Sequence, residues 1–476
     1  MKGVGDADIS KMTAVLEGIA GKDFVSANFF ERIKNTVDVY PFELRKDQIC
    51  YAVIMPSSKE EIREVILYAN EIKVPVFIRG SGTHLGGNYR PHVSGIVINT
   101  HRMTKLEVSE EYGFFECEPG CVAGHVRDAL LELGYFLPEA PGSIQVASMG
   151  GLISGNTSGH IVDPSIGKPG DYVLAVEVVL PNGEIIETGT KGLRRPAGTD
   201  LTKLFVGSDG FLGVITKIRM RLLKAPVRAH GLAVYSDLSS LARGVQRMYQ
   251  DGCPPPLFME FLDGPSAEIG FGLKGLEPPG GPVVMFESIS SSEKGASGKV
   301  KQIMRSLKKE KAIEVYPVED IDKWRRLWAA RSVIGSNLMQ QEGNLISTAE
   351  VVSNLKDLVE CMDDCQNFSR GLPLTSQLDM SFLFGHIGAL TFHPASFIPR
   401  NWTDDLKRKV IDERFQREGE LNLKYGTCGG EWGQFGRRKD FFIKRYGEAS
   451  YEIVKGLKKT MDPNNILNPG ILEGYR

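Results

Sequence analysis

No stretch of the 476 residues is long and apolar enough to cross a bilayer as a helix. The first segment, "MKGVGDADISKMTAVLEGIAG", is polar and lacks the apolar core of a secretory leader, so the expected location is the cytoplasm. Neither sign of charge dominates. Lys plus Arg total 57 and Asp plus Glu 59, a net charge of −2, which gives no reason to expect nucleic acid or an acidic membrane surface as a partner. Cysteine is sparse and odd in number: Cys50, Cys117, Cys121, Cys253, Cys361, Cys365 and Cys428 do not read as a disulfide framework. Nor are they spaced to hold an iron–sulfur cluster. Cys361 and Cys365, beside Leu358 and Met362, read as the buried stripe of a helix rather than a redox pair. Short repeats and low-complexity segments are also missing.

What is present is a large apolar fraction, 42%, enough for two domains or more, and 53 glycines. The pattern "SSKEEIREVILYANEIKVPVFIRGSG" predicts a helix capped by Ser57 or Ser58, then a buried strand ending at Arg79. "GIVINT" and "FFECEPG" predict strands, and "VAGHVRDALLELG" a helix stopped by Gly134. Two β-branched runs around Asn182-Gly183 predict a hairpin. After "KAPVRAH" the pattern resets. "PLFMEFL", "GPVVMFESI", "AIEVYPV", "NLISTAEVV" and "SFLFGHIGALTF" read as strands, and 292–309, 320–334 and 354–368 as helices. Such alternation suggests an open sheet with helices packed on it. A last helix, "ASYEIVKGLKKTM", is halted by Asp462-Pro463.

Three glycine-rich segments carry the first chemistry. In "FIRGSGTHLGGN", Gly80, Gly82, Gly86 and Gly87 allow tight turns that aim backbone N–H groups inward, the nest that binds a phosphate. The spacing is not the dinucleotide fingerprint of a Rossmann unit. "APGSIQVASMGGLISGNTSG" adds a second small-residue loop and "LFVGSDGFLGVIT" a third, which fits a long, bent diphosphate cofactor lying along the backbone.

These loops in this order, with "LKKTMDPNNILNPG" near the end, resemble the FAD-binding domain of vanillyl-alcohol-oxidase-type flavoproteins. Within that superfamily the chain is most similar to the glycolate oxidase subunit and D-lactate dehydrogenase group, from about Asp47 to Gly470. The resemblance implies an α+β fold. An N-terminal helical extension (1–46) would precede a two-subdomain FAD-binding domain of the PCMH type (47–225). A substrate domain with a ferredoxin-like sheet (226–425) and a C-terminal segment (426–476) returning to the FAD domain as a helical cap would follow. It also implies that Arg79, Gly80, Ser81, Gly82, Thr83 and His84 hold the pyrophosphate of FAD. Pro141, Gly142, Ser143, Gly150, Gly151, Ser154 and Gly159 would line the other side, Ile215 would meet the adenosine half, and Asn468 would lie near the flavin. Relatives with covalent flavin have His directly after the glycine matched by Gly82. Here Thr83 stands there and His84 follows, so the FAD is expected to be non-covalent.

"GHIGALTFH" places His386 and His393 seven apart. On a regular strand that odd spacing puts them on opposite faces, unless the chain bends at Gly388 and Ala389. The resemblance implies that both ligate a divalent metal (Zn, Mn or Fe) with Glu431 of "GGEWG" as the third ligand, although Ala389, Leu390 and Thr391 replace the group's usual residues between them. After that Glu the group carries a His that serves as base. This chain carries Trp432, whose indole has an N–H donor and no useful basicity. His386, His393 or Tyr425 would then take over that role, or the metal itself would activate the hydroxyl. Arg331 of "WRRLWAARS" matches the Arg that grips a substrate carboxylate. The implied activity is oxidation of a 2-hydroxy acid by hydride transfer to flavin N5. Electrons would pass to an electron-transfer flavoprotein, an iron–sulfur subunit or a quinone, in a homo-oligomer or hetero-complex. Oxidation of a phenolic or bulky alcohol, with Trp432 stacking on it, is the alternative, as is a non-catalytic FAD-holding subunit.

Overall fold

The computed structural model describes residues 6–38, 44–84, 86–87, 89–138, 141–163, 165–193, 198–340, 344–378, 381–431, 433 and 435–473. The chain forms two compact units. The first takes Met1–Ser158, Lys168–Ala225 and Trp432–Arg476, and the second Gly159–Gly167 and Pro226–Glu431. Helices and sheets occur in both, as the α+β expectation requires. None of the described helices is long and apolar enough to cross a membrane.

The first unit holds two principal sheets. In a four-stranded one, Ala52–Ile54, Ile96–Asn99 and Val76–Arg79 run parallel, and Val25–Ser26 joins antiparallel. The helix Lys59–Ile72 connects two of these strands. Ser58 caps it by accepting the Glu61 N–H, and Ile62, Val65, Ile66 and Ala69 form its buried stripe. The N-terminal helix Asp6–Ala20 packs Met12, Leu16 and Ala20 into the same core. The second sheet is antiparallel and five-stranded, with Val214–Arg221 at its centre, and its Val173–Val179/Ile185–Glu187 hairpin turns at Gly183 (φ +84°). The segment Ile466–Leu467 returns from the far end of the chain into the core of the four-stranded sheet.

The second unit is built on one antiparallel eight-stranded sheet. Its first four strands in chain order are Val227–Val234, Phe258–Leu262, Val283–Ser290 and Glu314–Val318. They lie in the spatial order fourth, first, third, second, which is the ferredoxin-like arrangement. Strict alternation sends Met259, Phe261, Val284 and Phe286 to one face, against the helices Leu238–Gln250 and Glu293–Lys308. Leu262, Val283, Met285 and Phe384 go to the other face, against the helix Ile321–Gln340 with its Trp324 and Leu327.

Candidate active site

In the first unit the strand Val76–Arg79 delivers the chain to Gly80. A Cβ there would collide with the Ser148 hydroxyl, so only glycine lets the two loops touch. Ser148 caps the short helix Met149–Ser154 by accepting the Gly151 N–H at 3.3 Å. Gly82 takes φ +68°, and the Arg79 guanidinium folds over the space its side chain would fill. Gly207 and Asp209 of the third loop donate N–H groups to the carbonyls of Ile153 (3.1 Å) and Ser154 (2.9 Å), which locks the second and third loops together. Asn468 closes the assembly. Its backbone N–H reaches Val76 O at 2.8 Å, its Oδ1 accepts from Ile78 N at 3.3 Å, and its Nδ2 donates to Asp209 O at 2.9 Å.

Pro141, Gly142 and Ser143 open a turn in which the Ile144 N–H reaches Pro141 O and the Val146 N–H reaches Ser143 O. Gly150 donates to Pro119 O at 2.8 Å. Ser81 and Thr83 are half-buried in the first loop. Ile215 lies in the central strand opposite Val178. Gly159, expected with this group, belongs to the second unit, directly before His160.

Two polar features suit a bound cofactor. His84 Nδ1 accepts the Gly86 N–H at 3.0 Å, so Nε2 bears the ring proton. That Nε2 is sealed from water without a hydrogen-bond partner among the described residues. Burial, with Arg438 nearby, holds the imidazole neutral, its pKa down at about 3. An unsatisfied buried donor costs about 1–3 kcal/mol, which an acceptor on a bound nucleotide would relieve. The His84 ring also packs edge-on against Tyr89, 4.4 Å between centroids, and the Tyr89 hydroxyl donates to Asp209. Burial raises the Asp209 carboxyl to about 7. A cradle of small residues with a waiting N–H donor therefore fits the FAD that the sequence implies.

The second unit answers the question of the paired histidines. "SFLFGHIGALTFH" is not one strand but a hairpin: Ser381–His386, a 3-10 turn Ile387–Ala389, Leu390 at φ +57°, then Thr391–Pro399. His386 lies opposite Thr391 and His393 opposite Phe384, so the two histidines are diagonal neighbours on one face. Their ring centroids are 5.2 Å apart. His386 Nε2 lies 3.3 Å and His393 Nε2 3.6 Å from the two carboxylate oxygens of Glu431. The turn that carries Glu431 is held by Glu350, whose Oε1 accepts the N–H groups of Gly430 (2.8 Å) and of Glu431 itself.

Each imidazole is oriented from behind. His386 Nδ1 donates to Glu260 Oε1 at 2.6 Å, and His393 Nδ1 donates to the Ala349 carbonyl at 3.3 Å. Both Nε2 lone pairs therefore face the Glu431 carboxylate. Burial pushes both pKa values down and keeps the rings neutral, the ligating form. The donor atoms of His386, His393 and Glu431 all lie within 4.8 Å of one another, a set that fits a divalent ion.

Glu260 has no exposed surface and is the hub of the site. Arg331 Nε and Nη2 both reach its Oε2 at 2.8 Å, and His160 Nδ1 stands 3.1 Å from its Oε1. Burial alone would raise this carboxyl. His386, Arg331 and His160 outweigh that and hold it well below the usual carboxylate range, so it is ionised. Arg331, expected to face a substrate carboxylate, thus spends two of its nitrogens on Glu260.

Tyr425 requires a correction. Its hydroxyl donates to Asp364 at 2.6 Å, Lys424 pairs with the same carboxylate, and the ring belongs to the core on the opposite face of the sheet. It makes no contact with the histidine pair among the described residues and cannot serve as its base. Trp432 lies outside the described residues.

Sequence reasoning passed over His160, Glu260 and Glu350. A signal existed for Glu260: a lone carboxylate in the apolar run "PLFMEFL", at a position whose alternate neighbours are buried, demands a partner.

A model of the FAD binding domain matches residues 51–189, and one of the C-terminal domain of FAD linked oxidases matches residues 224–472. The chain is 30% identical over 428 residues to the glycolate oxidase subunit GlcD of Bacillus subtilis, covering 88% of each. It is 29% identical over 440 residues to a D-lactate dehydrogenase of Archaeoglobus fulgidus, covering 88% of this chain and 90% of that one. Among solved structures, 4-ethylphenol oxidase from Gulosibacter chungangensis superposes with a TM-score of 0.80 at 16% identity, covering 100% of this chain and 98% of that one, a likeness of fold.

Proposed function

The chain belongs to the FAD-linked oxidases and is an FAD-dependent oxidoreductase; from that premise we propose that it oxidises a 2-hydroxy acid of the lactate or glycolate type to the 2-oxo acid. Electrons would pass to an electron-transfer flavoprotein, an iron–sulfur subunit or a quinone, within a homo-oligomer or hetero-complex. The observation that carries this reading is the convergence of two neutral imidazoles and a carboxylate beside a buried arginine.

FAD, when bound, supplies a hydride acceptor at N5. The rest falls to the chain. The small-residue cradle of Gly80, Gly82, Gly150 and Gly151, tied by Asn468, holds the diphosphate, and His84 donates its unpaired N–H to the nucleotide. Arg331 keeps Nη1 clear of any described hydrogen-bond partner, and that nitrogen receives one carboxylate oxygen of the substrate. Glu260 fixes the direction of Arg331 and the tautomer of His386 together, so the charge that holds the acid and the imidazole lone pair turned to Glu431 are set by one side chain. His386 Nε2, His393 Nε2 and the Glu431 carboxylate are the groups that would hold a divalent ion (Zn, Mn or Fe), whose chemistry there is Lewis-acid lowering of the pKa of a ligated hydroxyl. That would compensate for Trp432, which stands where relatives carry a base.

A second reading, oxidation of a phenolic or bulky alcohol, is favoured by that tryptophan and by the aromatic neighbours of His160, with Trp328 at 5.0 Å and Phe258 at 6.3 Å between centroids. Anaerobic mixing of the FAD-loaded protein with both classes separates the two. Bleaching of the visible flavin band by a 2-hydroxy acid and not by phenolic alcohols supports the proposal, and the reverse pattern supports the second reading. No bleaching by any substrate, with FAD tightly bound, would leave an FAD-holding subunit without its own catalysis.

A further inference from the structure

Around Glu260, only two nitrogens of His160 and Arg331 lack a hydrogen bond to a described residue and yet are not sealed: Arg331 Nη1 and His160 Nε2. Both side chains are otherwise buried, each residue with 6% of its surface exposed. His160 comes from the nine-residue piece Gly159–Gly167 that the second unit takes from the middle of the first unit's sequence. Its place is fixed by the backbone. Ile161 bridges to Phe258, and the Val162 N–H donates to Leu257 O at 2.8 Å, which lays the segment beside the strand that carries Glu260. Trp328 and His386 pack edge-on against the ring, at 5.0 and 4.9 Å between centroids. His160 Nδ1 is sealed from water 3.1 Å from the ionised Glu260 Oε1, with no hydrogen bond of good geometry to a described residue. A carboxylate that close disfavours a lone pair on Nδ1 and favours the tautomer with the proton there, which leaves Nε2 as a hydrogen-bond acceptor.

We propose that His160 is a specificity-determining residue: its Nε2 accepts the hydroxyl of the substrate whose carboxylate pairs with Arg331 Nη1, so that Glu260 presents one contact to each of the two groups that define a 2-hydroxy acid. This deepens the 2-hydroxy-acid reading and rests on it. A buried acceptor left without its donor rejects a ligand that lacks the hydroxyl, whereas a ligand that carries it satisfies both partners.

The test uses the FAD-loaded full chain and two ligands that cannot give a hydride from a carbinol carbon: 2-hydroxyisobutyrate and isobutyrate, which differ by the hydroxyl. Dissociation constants are read from the perturbation of the flavin spectrum. The wild type is expected to favour the hydroxy acid by roughly tenfold or more. In His160→Phe, which keeps the packing against Trp328, that ratio should fall by about five- to tenfold, with the affinity for isobutyrate changed less than about twofold. A merely structural role would weaken both ligands together and leave the ratio unchanged; that result overturns the proposal. Should His160→Phe fail to retain FAD, His160→Gln decides in its place, and an undiminished ratio there is equally fatal. A wild type that binds neither acid, and whose flavin is bleached by no 2-hydroxy acid, overturns the parent reading and this inference with it.

Discussion

Replacing Glu260 by Gln removes one negative charge from a place with no exposure to water, and the consequence can be worked through. The carboxylate accepts Nε and Nη2 of Arg331 at 2.8 Å and Nδ1 of His386 at 2.6 Å. Arg331 cannot lose its proton, so the variant leaves a buried guanidinium without its counter-charge. Breaking a buried pair from one side costs about 3–5 kcal/mol. At about 2–4 °C per kcal/mol for a unit of this size, the second unit should unfold about 6–20 °C lower. Tryptophan fluorescence is the appropriate probe, because Trp324 and Trp328 lie on the helix that carries Arg331. The double variant Glu260→Leu/Arg331→Met removes both charges and should recover to within about 2 kcal/mol of the wild type, since a buried pair replaced as a whole is often neutral. The acid side gives a second reading. The folded-state carboxyl of Glu260 is held below its unfolded value, so its stabilisation is complete above the unfolded pKa near 4.3 and is lost as pH falls through the folded one. Glu260→Gln should lack that part of the acid limb. A midpoint for Glu260→Gln within about 2 °C of the wild type would refute the claim that Glu260 and Arg331 form a buried, mutually dependent pair.

Three further outcomes are expected. By elemental analysis the wild type is expected to carry a divalent metal and His386→Ala to lack it, with FAD content unchanged; a metal-free wild type would discard the metal role of His386, His393 and Glu431. Asn468→Ala deletes two hydrogen bonds that tie the first and third glycine loops together, each worth about 0.5–1.5 kcal/mol, and should weaken FAD binding about 5- to 100-fold in fluorescence titration. Asp209 has a carboxyl raised to about 7 by burial, so the folded state holds its proton longer than the unfolded one. Stability of the first unit should therefore fall as pH rises from about 4 to about 7 and level off above, and Asp209→Asn should flatten that slope in pH-dependent melts.

Much of the framework is legible in the residues. The capped helix after Ser58, the strand ending at Arg79, the Asn182-Gly183 hairpin and the alternation in "PLFMEFL" all appear where periodicity and turn chemistry place them. The histidine hairpin was harder to see, because its reversal falls on Leu390 at positive φ, with none of the Gly or Asn that normally marks such a residue. The helix Asp404–Lys424 went unread because "DDLKRKVIDERFQREGELNLK" is dense in charge and its apolar positions form only a thin stripe. His160 and Glu260 are 100 residues apart in sequence, and no local spacing announces a pair that a β-bridge at Ile161 and Phe258 brings together. Tyr425 misled for the opposite reason: nearness to Glu431 in the chain says nothing about the side of the sheet on which a ring is buried.

The most direct measurement is rapid anaerobic mixing of the FAD-loaded protein with lactate, glycolate and other 2-hydroxy acids, in both enantiomers where they exist, while the visible flavin band is followed. The account predicts full bleaching by at least one of them, with stoichiometric 2-oxo acid formed. A flavin that stays oxidised with every 2-hydroxy acid while a phenolic or other alcohol reduces it would contradict it.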